Sequence, residues 1–388
     1  MPVSERIAQM KPFMVMEVLE KAQRMEREGA SVVHLEIGEP DFDTPASIKR
    51  AACAALDDGH THYTHSLGIR ELREAISDDY RQRYGVEVDP GRIIITQGTS
   101  PAMFVLFSAI LRQGQEVIAS DPCYACYHNF IRFAGGEVNP VPVTEQDGWQ
   151  YRVSAVREAV NDRTRALLIN SPANPTGTLL SPERMEALAE LADEKGLHLV
   201  SDEIYHGLVY EGREHSVLEF SDDAFVFNGF SKLYAMTGWR LGYLIAPESF
   251  VRPLQIACQN FFISANSMAQ WAGVAALREA CEDVEHMKAV YDDRRRYMLS
   301  RLEGMGLSIP NPPTGAFYIL VDFRKYAERF DGSSLKLAYD ILEKAAVGVT
   351  PGVDFGPGAE GYIRFSYANS LENIREGMDR LERYLKEF

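Results

Sequence analysis

Short apolar runs alternating with amphipathic stretches constrain this chain more than any other feature. The runs are Ile93–Thr96, Glu116–Ser120, Ala166–Asn170, Leu197–Asp202, Ala224–Asn228 and Leu241–Ala246. Between two of them, Pro182–Lys195 sets Met185, Leu188, Ala189 and Leu191 at helical spacing. Strands that are apolar on both faces and joined by helices predict an α/β fold with a mostly parallel central sheet flanked by helices. Ligands of such sheets bind beyond the carboxyl ends of the strands. Gly98, Asn174, Asp202 and Lys232 all follow predicted strand ends, which makes one shared site plausible.

The last third of the chain reads differently. A charged helix over Ala280–Leu302 leads to the strand-like Ala316–Val321, a helix over Ser334–Ala345, a strand over Tyr362–Ser366 and a helix over Leu371–Tyr384. This pattern predicts a smaller α+β domain. The expected division is an N-terminal arm over 1–44 that joins the small domain, a large domain over 45–284 and the small domain over 285–388. A length of 388 residues suits one large domain with a smaller companion.

A formal net charge of −16 argues against nucleic acid and anionic membrane as partners, because both require basic surface. There is no transmembrane run, and the opening MPVSERIAQMKPF lacks the apolar core of a signal peptide. Five cysteines without a spaced framework fit a reducing compartment better than a disulfide scaffold. The expected location is cytoplasmic.

The densest chemistry lies in Ser231-Lys232-Leu233-Tyr234-Ala235-Met236-Thr237-Gly238-Trp239-Arg240, between two strand-like runs. A lysine there can form an imine with an aldehyde, and an arginine can clamp a phosphate bidentately. The bland alternative for Lys232 is a surface lysine on a charged turn. Asp202 ends the run LHLVSD and could equally cap a helix. Asn174 lies in the turn SPANPTG, a common turn in its own right. Gly98-Thr99-Ser100-Pro101 precedes the apolar helix AMFVLFSAIL, where free N–H groups and the helix dipole make a phosphate site on top of an ordinary cap. Arg364 stands mid-strand in YIRFS, where a buried guanidinium needs a carboxylate, from either a ligand or an interdomain salt bridge.

Taken together with IGEPDFDTP, YTHSLGIRELREAI, SDEIY and GAFYIL, these motifs run in one order along essentially the whole chain. In that order they resemble the class I, fold type I aminotransferases that depend on pyridoxal phosphate, nearest to the bacterial aspartate, alanine and aromatic group. The resemblance implies that Lys232 carries the cofactor as an imine and later shuttles the substrate α-proton. Asp202 would face the pyridine nitrogen, while Tyr205 and Asn174 donate to the phenolic oxygen. Gly98, Thr99, Ser100 and Arg240 would hold the phosphate, helped by Ser231. Gly229 stands where many members carry a serine for that phosphate. Tyr124 would stack on the ring. Tyr63 would reach the phosphate of the neighbouring subunit, which implies a homodimer. Arg364 and the Gly38 N–H would grip the substrate α-carboxylate. The implied reaction is a ping-pong transfer of an amino group from an L-amino acid to a 2-oxo acid such as 2-oxoglutarate or pyruvate.

Substrate choice rests on less. The segment FFISANSMAQW offers no cation for a distal carboxylate, and the arm reads KPFMVM. If Phe13 and Val15 cover the substrate side chain, neutral or apolar donors gain over acidic ones. A C–S β-lyase or cyclopropane-carboxylate synthase on the same scaffold, or an aspartate aminotransferase, are the competing enzymes. A cofactor-sensing transcription regulator would need a helix-turn-helix ahead of residue 11, where no room is expected.

Other signals are discounted. Cys123 and Cys126 form a CxxC with no second pair, and His60, His62 and His65 lack the acidic or cysteine partners of a metal site. No metal is expected. The run Asp292-Asp293-Arg294-Arg295-Arg296 reads as a solvated helix face with ion pairs, and Gly352, Gly356, Gly358 and Gly361 as turn residues.

Overall fold

Residues whose side chains are apolar on both faces of an extended segment can lie only inside a sheet covered on both sides. The computed structural model, which describes residues 3–8 and 10–387, places them there. In chain order the strands are β1 (Val33–His34), β2 (Ile93–Thr96), β3 (Glu116–Asp121), β4 (Glu137–Pro142), β5 (Thr164–Asn170) and β6 (His198–Asp202). They continue with β7 (Phe225–Gly229), β8 (Gly242–Ile245), β9 (Tyr318–Asp322), β10 (Val347–Gly348), β11 (Thr350–Pro351) and β12 (Tyr362–Ser366).

Seven of these form the main sheet, in the order β2-β8-β7-β6-β5-β3-β4. All neighbours from β7 to β4 are parallel, whereas β8 runs antiparallel to both β7 and β2. Alternate residues supply two cores. Ile94, Val117, Leu168, Val200, Phe227 and Leu244 pack with Val105, Leu106 and Leu254 of the helices Thr99–Ile110 and Glu248–Phe261. Ile95, Ile118, Leu167, Leu199, Val226 and Tyr243 pack on the other side with Leu72, Ile76, Leu188 and Leu191.

Helix Pro182–Lys195 has the expected ends. Ser181 accepts from Arg184 N, Pro182 occupies the first turn, and Gly196 closes the helix at φ 63°. Strand β4 falls outside the predicted set. It carries Pro140 and Pro142, which break the strand pattern in sequence, and it is tolerated because it forms the sheet edge.

A second sheet, β11-β12-β9, is antiparallel and pairs Arg364 with both Thr350 and Leu320. Strand β1 pairs in parallel with β10. The arm helix Met14–Arg27 buries Val18 and Ala22 against Leu342 of helix Ser334–Ala345.

Helix Cys281–Gly304 corrects one expectation. Arg294 and Arg295 are buried, not on a solvated face. Arg294 forms a bidentate pair with Asp41 at 2.6 and 2.9 Å, while Arg295 meets Asp292, Glu211 and the Pro313 carbonyl. Only Arg296 of the three is exposed, paired with Asp292.

Candidate active site

The reversal of β8 decides what the main sheet can assemble. Strands β2, β3, β5, β6 and β7 all run one way, so Gly98, Tyr124, Asn174, Asp202 and Lys232 emerge beyond the same edge. Because β8 runs the other way, Arg240, two residues before it, also lies on that edge. A cleft of about 340 Å³ opens there. Its walls include Phe13, Val15, Gly38, Thr99, Ser100, Tyr124, Asn174, Asp202, Tyr205, Ser231, Lys232, Arg240 and Arg364.

Gly98 lies just behind that wall, at φ 93°. A Cβ there would come within 2.7 Å of Arg240 Nη2, so only glycine lets the guanidinium sit against the loop. The following helix, Thr99–Ile110, begins three residues earlier than its apolar run suggests, so Thr99 and Ser100 form its first turn rather than precede it. Arg240 itself adopts φ 54°, and its Nη1 donates to the Thr237 carbonyl at 2.9 Å. At Gly229, a Cβ would meet Gly242 Cα at 3.0 Å and the Leu241 carbonyl at 3.1 Å. Close packing of β7 on β8 therefore opposes a serine there.

Asp202 is buried, and no helix follows it directly, which removes the capping alternative. Its Oδ2 accepts from the Tyr127 hydroxyl at 2.6 Å and its Oδ1 from Ile204 N at 3.2 Å. Burial raises its pKa to about 6 against the pull of these hydrogen bonds. Lys232 donates from Nζ to the Gly38 carbonyl at 2.6 Å. Burial lowers its pKa to about 8, opposed first by the nearby carboxylate of Glu39.

Arg364 is buried with no ion pair among the described residues. Its partners are neutral: Asn174 Oδ1 at 2.9 Å, the Glu36 carbonyl at 2.6 Å and Thr350 Oγ1 at 3.1 Å. The rings of Tyr318 and Phe355 hold its plane, 4.2 and 4.9 Å from the guanidinium carbon. Its Nε has no partner among the described residues. A buried, unneutralised guanidinium beside a cleft is a receptor for an anion. Tyr205 shares a hydroxyl contact of 2.8 Å with Tyr318. A Cβ on Gly38 would overlap that Tyr318 hydroxyl and approach Cζ to 2.8 Å, so glycine is required there too.

Phe13 meets Tyr124 edge-on, with ring centroids 6.1 Å apart. Val15 is buried in the first turn of the arm helix, whose first N–H groups at Met14 and Val15 donate to Asp354 at 3.0 and 3.2 Å. Tyr63 is 81% exposed and does not reach the cleft of its own chain. The segment 261–271 also stays out of that cleft. Among the described residues no group of three or more His, Cys, Asp or Glu is arranged to hold a metal.

The structure adds residues to which the sequence reading assigned no role. Tyr127, Asn170, Tyr318, Thr237, Glu39, Met16, Leu19 and Ile37 also line the cleft. Tyr127 follows Tyr124 by three residues in an apolar helix start, and Tyr318 sits in an apolar strand. Both read as core in sequence.

Comparison with known proteins decides the family. The chain matches aminotransferase class I and II over residues 30–381. It belongs to that family. It is 42% identical to the (5-formylfuran-3-yl)methyl phosphate transaminase of Methanocaldococcus jannaschii and 41% identical to the aspartate/prephenate aminotransferase of Thermus thermophilus. These alignments cover 99% of this chain, with 99% and 98% of the relatives. The aspartate aminotransferase of Thermus thermophilus, solved with maleate, superposes with a TM-score of 0.94 at 40% identity over 99% of each chain. Class I aminotransferases use pyridoxal phosphate. The cleft fits that group: a glycine-shaped loop at a helix start beside Arg240, a lysine of lowered pKa, and a buried carboxylate.

Proposed function

We propose that this aminotransferase takes its amino group from an L-amino acid with a neutral or apolar side chain and passes it to a 2-oxo acid. The composition of the cleft carries the reading. Its cations are Lys232, Arg240 and Arg364, each with a task at the cofactor or the α-carboxylate. The wall next to the arm is apolar, formed by Phe13, Val15, Met16, Leu19 and Ile37. A distal carboxylate would be desolvated there without a partner.

Bound pyridoxal phosphate supplies the electron sink for the carbanion formed at the substrate Cα. Arg240, Gly98, Thr99, Ser100 and Ser231 would hold the phosphate, and Asp202 would provide the anion for the pyridine nitrogen. Tyr124 would stack on the ring, while Tyr205 and Asn174 would donate to its phenolic oxygen. Arg364 and the Gly38 N–H bind the α-carboxylate and fix the direction of the Cα–H bond. Lys232 Nζ then takes the Cα proton. A pKa near 8 leaves a usable fraction of neutral amine at neutral pH.

The same reading assigns the arm 1–44 and residues 285–388 to a small domain and residues 45–284 to the cofactor-binding domain. It makes the enzyme a homodimer, in which Tyr63 reaches the neighbouring phosphate, and places it in the cytoplasm. The exposed Tyr63 supports the dimer, and among the described residues no helix is long and apolar enough to cross a membrane.

A single-turnover titration of the holoenzyme against a panel of amino acids, without any acceptor, ranks the donors. Neutral donors are expected to convert the cofactor fastest. A kcat/KM for aspartate above that of every neutral donor would overturn the assignment. Pyruvate and ammonia accumulating from cystathionine without an acceptor would mean lyase chemistry.

A further inference from the structure

Phe13 lines two spaces at once. One is the cleft, and the other is a second cavity of about 290 Å³ whose walls include Lys11, Cys126, His128, Asn129, Arg132 and Asp354. The ring stands edge-on to Tyr124, which also lines the cleft. Its own chemistry does not choose between the two spaces, since an apolar ring can be covered in either.

The backbone on either side of Phe13 does choose. The N–H of Lys11 donates to Asn129 Oδ1 at 3.2 Å, and the Lys11 carbonyl accepts from Asn129 Nδ2 at 3.1 Å. A side-chain amide that pairs both polar groups of one residue holds the backbone there whatever the side chain is. Further on, the N–H groups of Met14 and Val15 donate to the two oxygens of Asp354 at 3.0 and 3.2 Å. Between these ties lie only Pro12 and Phe13, and Phe13 is extended at φ −85° and ψ 98°. The proline ring fixes one of the remaining dihedrals, so the span has little slack.

Both ties are anchored without help from the arm. Asn129 belongs to the helix Tyr127–Phe133. The turn carrying Asp354 is held by Val353 N on Ser334 Oγ at 3.2 Å, by Cys123 N on the Phe355 carbonyl at 2.9 Å and by Gly358 N on Asp121 Oδ1 at 2.9 Å. Among the described residues, the arm takes every hydrogen bond of the Asn129 amide and of the Asp354 carboxylate.

We propose that Asn129 and Asp354 are positioning residues that hold Phe13 at the wall of the cleft and so set the preference for large apolar donors over small ones. The proposal rests on the reading, given above, that Phe13 covers the donor side chain. A long apolar side chain gains by meeting the ring, whereas the methyl of alanine is too short to do so. Without either tie the ring turns toward the second cavity, and the large donor loses its cover.

The test compares phenylalanine with alanine in single-turnover titrations of the loaded enzyme, without acceptor. The ratio of their specificity constants cancels whatever acts on the shared α-carboxylate. Asn129→Ala and Asp354→Ala are each expected to lower the phenylalanine-to-alanine ratio roughly fivefold, with cofactor affinity unchanged. In a Phe13→Ala background, where the ratio is already low, neither should lower it further. A wild-type ratio in either variant, beside a low one in Phe13→Ala, would overturn the proposal for that residue and leave it an arm contact. Losses that multiply in the double variants would overturn it too, because the ties would then act other than through Phe13. If Phe13→Ala itself keeps the wild-type ratio, Phe13 does not cover the donor, and the reading beneath the proposal falls with it.

Discussion

Tyr127 donates its hydroxyl to Asp202 Oδ2 at 2.6 Å, and both side chains are buried. The phenol thereby aims the carboxylate proposed to face the cofactor ring. Tyr127→Phe removes one hydrogen bond to a charged group, a loss of about 1.5–3 kcal/mol for that state. The dissociation constant for pyridoxal phosphate is expected to rise roughly tenfold or more, which a fluorescence titration of the apoenzyme would measure. An unchanged constant would remove Tyr127 from the site's support.

The raised pKa of Asp202 makes the apoenzyme pH-sensitive in a defined direction. Its carboxyl binds a proton more tightly folded, at about 6, than unfolded, at 3.8. Stability from this group is therefore lost as pH rises from about 4 to 6, and the full penalty persists above that window. Asp202→Asn should stabilise the apoenzyme by about 3 kcal/mol at pH 7.5 and by nothing near pH 4. Urea titrations of both proteins at the two pH values check the sign.

At Gly38 the added methyl of Gly38→Ala would collide with the Tyr318 hydroxyl. Overpacking of this kind costs about 1–3 kcal/mol. The single variant should show a lower urea midpoint and a raised KM for every donor. Pairing it with Tyr318→Phe should recover part of both losses. Equal, additive losses in the double variant would mean that the two positions do not compete for space.

Arg364→Lys keeps the charge but loses the planar fork and its stacking between Tyr318 and Phe355. A fall in kcat/KM of roughly 100-fold for all donors, about 3 kcal/mol, is expected, with cofactor affinity unchanged. Steady-state kinetics beside a cofactor titration separates the two effects.

Tyr63 gives a test of assembly. Tyr63→Ala and Lys232→Ala should each be inactive or weak alone. Mixing them under conditions of subunit exchange should restore activity, because one hybrid site then holds both native residues. Recovery absent from a mixture shown to contain heterodimers would place Tyr63 outside the partner's site.

The sheet was legible where burial is symmetric. Ile93–Thr96 and Tyr362–Ser366 are predicted residue for residue, because every position in them is buried. Glu137–Pro142 escapes that logic, since this edge strand buries only Val141 and accepts proline. Within the site, the residues carried by turns and strand ends were readable as motifs. Tyr127 and Tyr318 were not, because an aromatic ring in an apolar segment looks the same whether its hydroxyl meets a carboxylate or only core. The burial of Arg294 was hidden for another reason. Its partner, Asp41, lies 253 residues away in sequence, so no local pattern announces the pair.

The reversal of β8 also has a mechanical result. Gly229 and Gly242 face each other across β7 and β8, so the stretch carrying Lys232 and Arg240 is a loop clamped at both ends by one sheet. Arg364 belongs to the other sheet. If Lys232, Arg240 and Arg364 have the roles proposed, a shift of the second sheet would move Arg364 while Lys232 and Arg240 keep their spacing. On the proposed roles, holding the prosthetic group and binding the substrate carboxylate would then be tasks of separate sheets, bridged by the bond from Arg364 to Asn174 Oδ1.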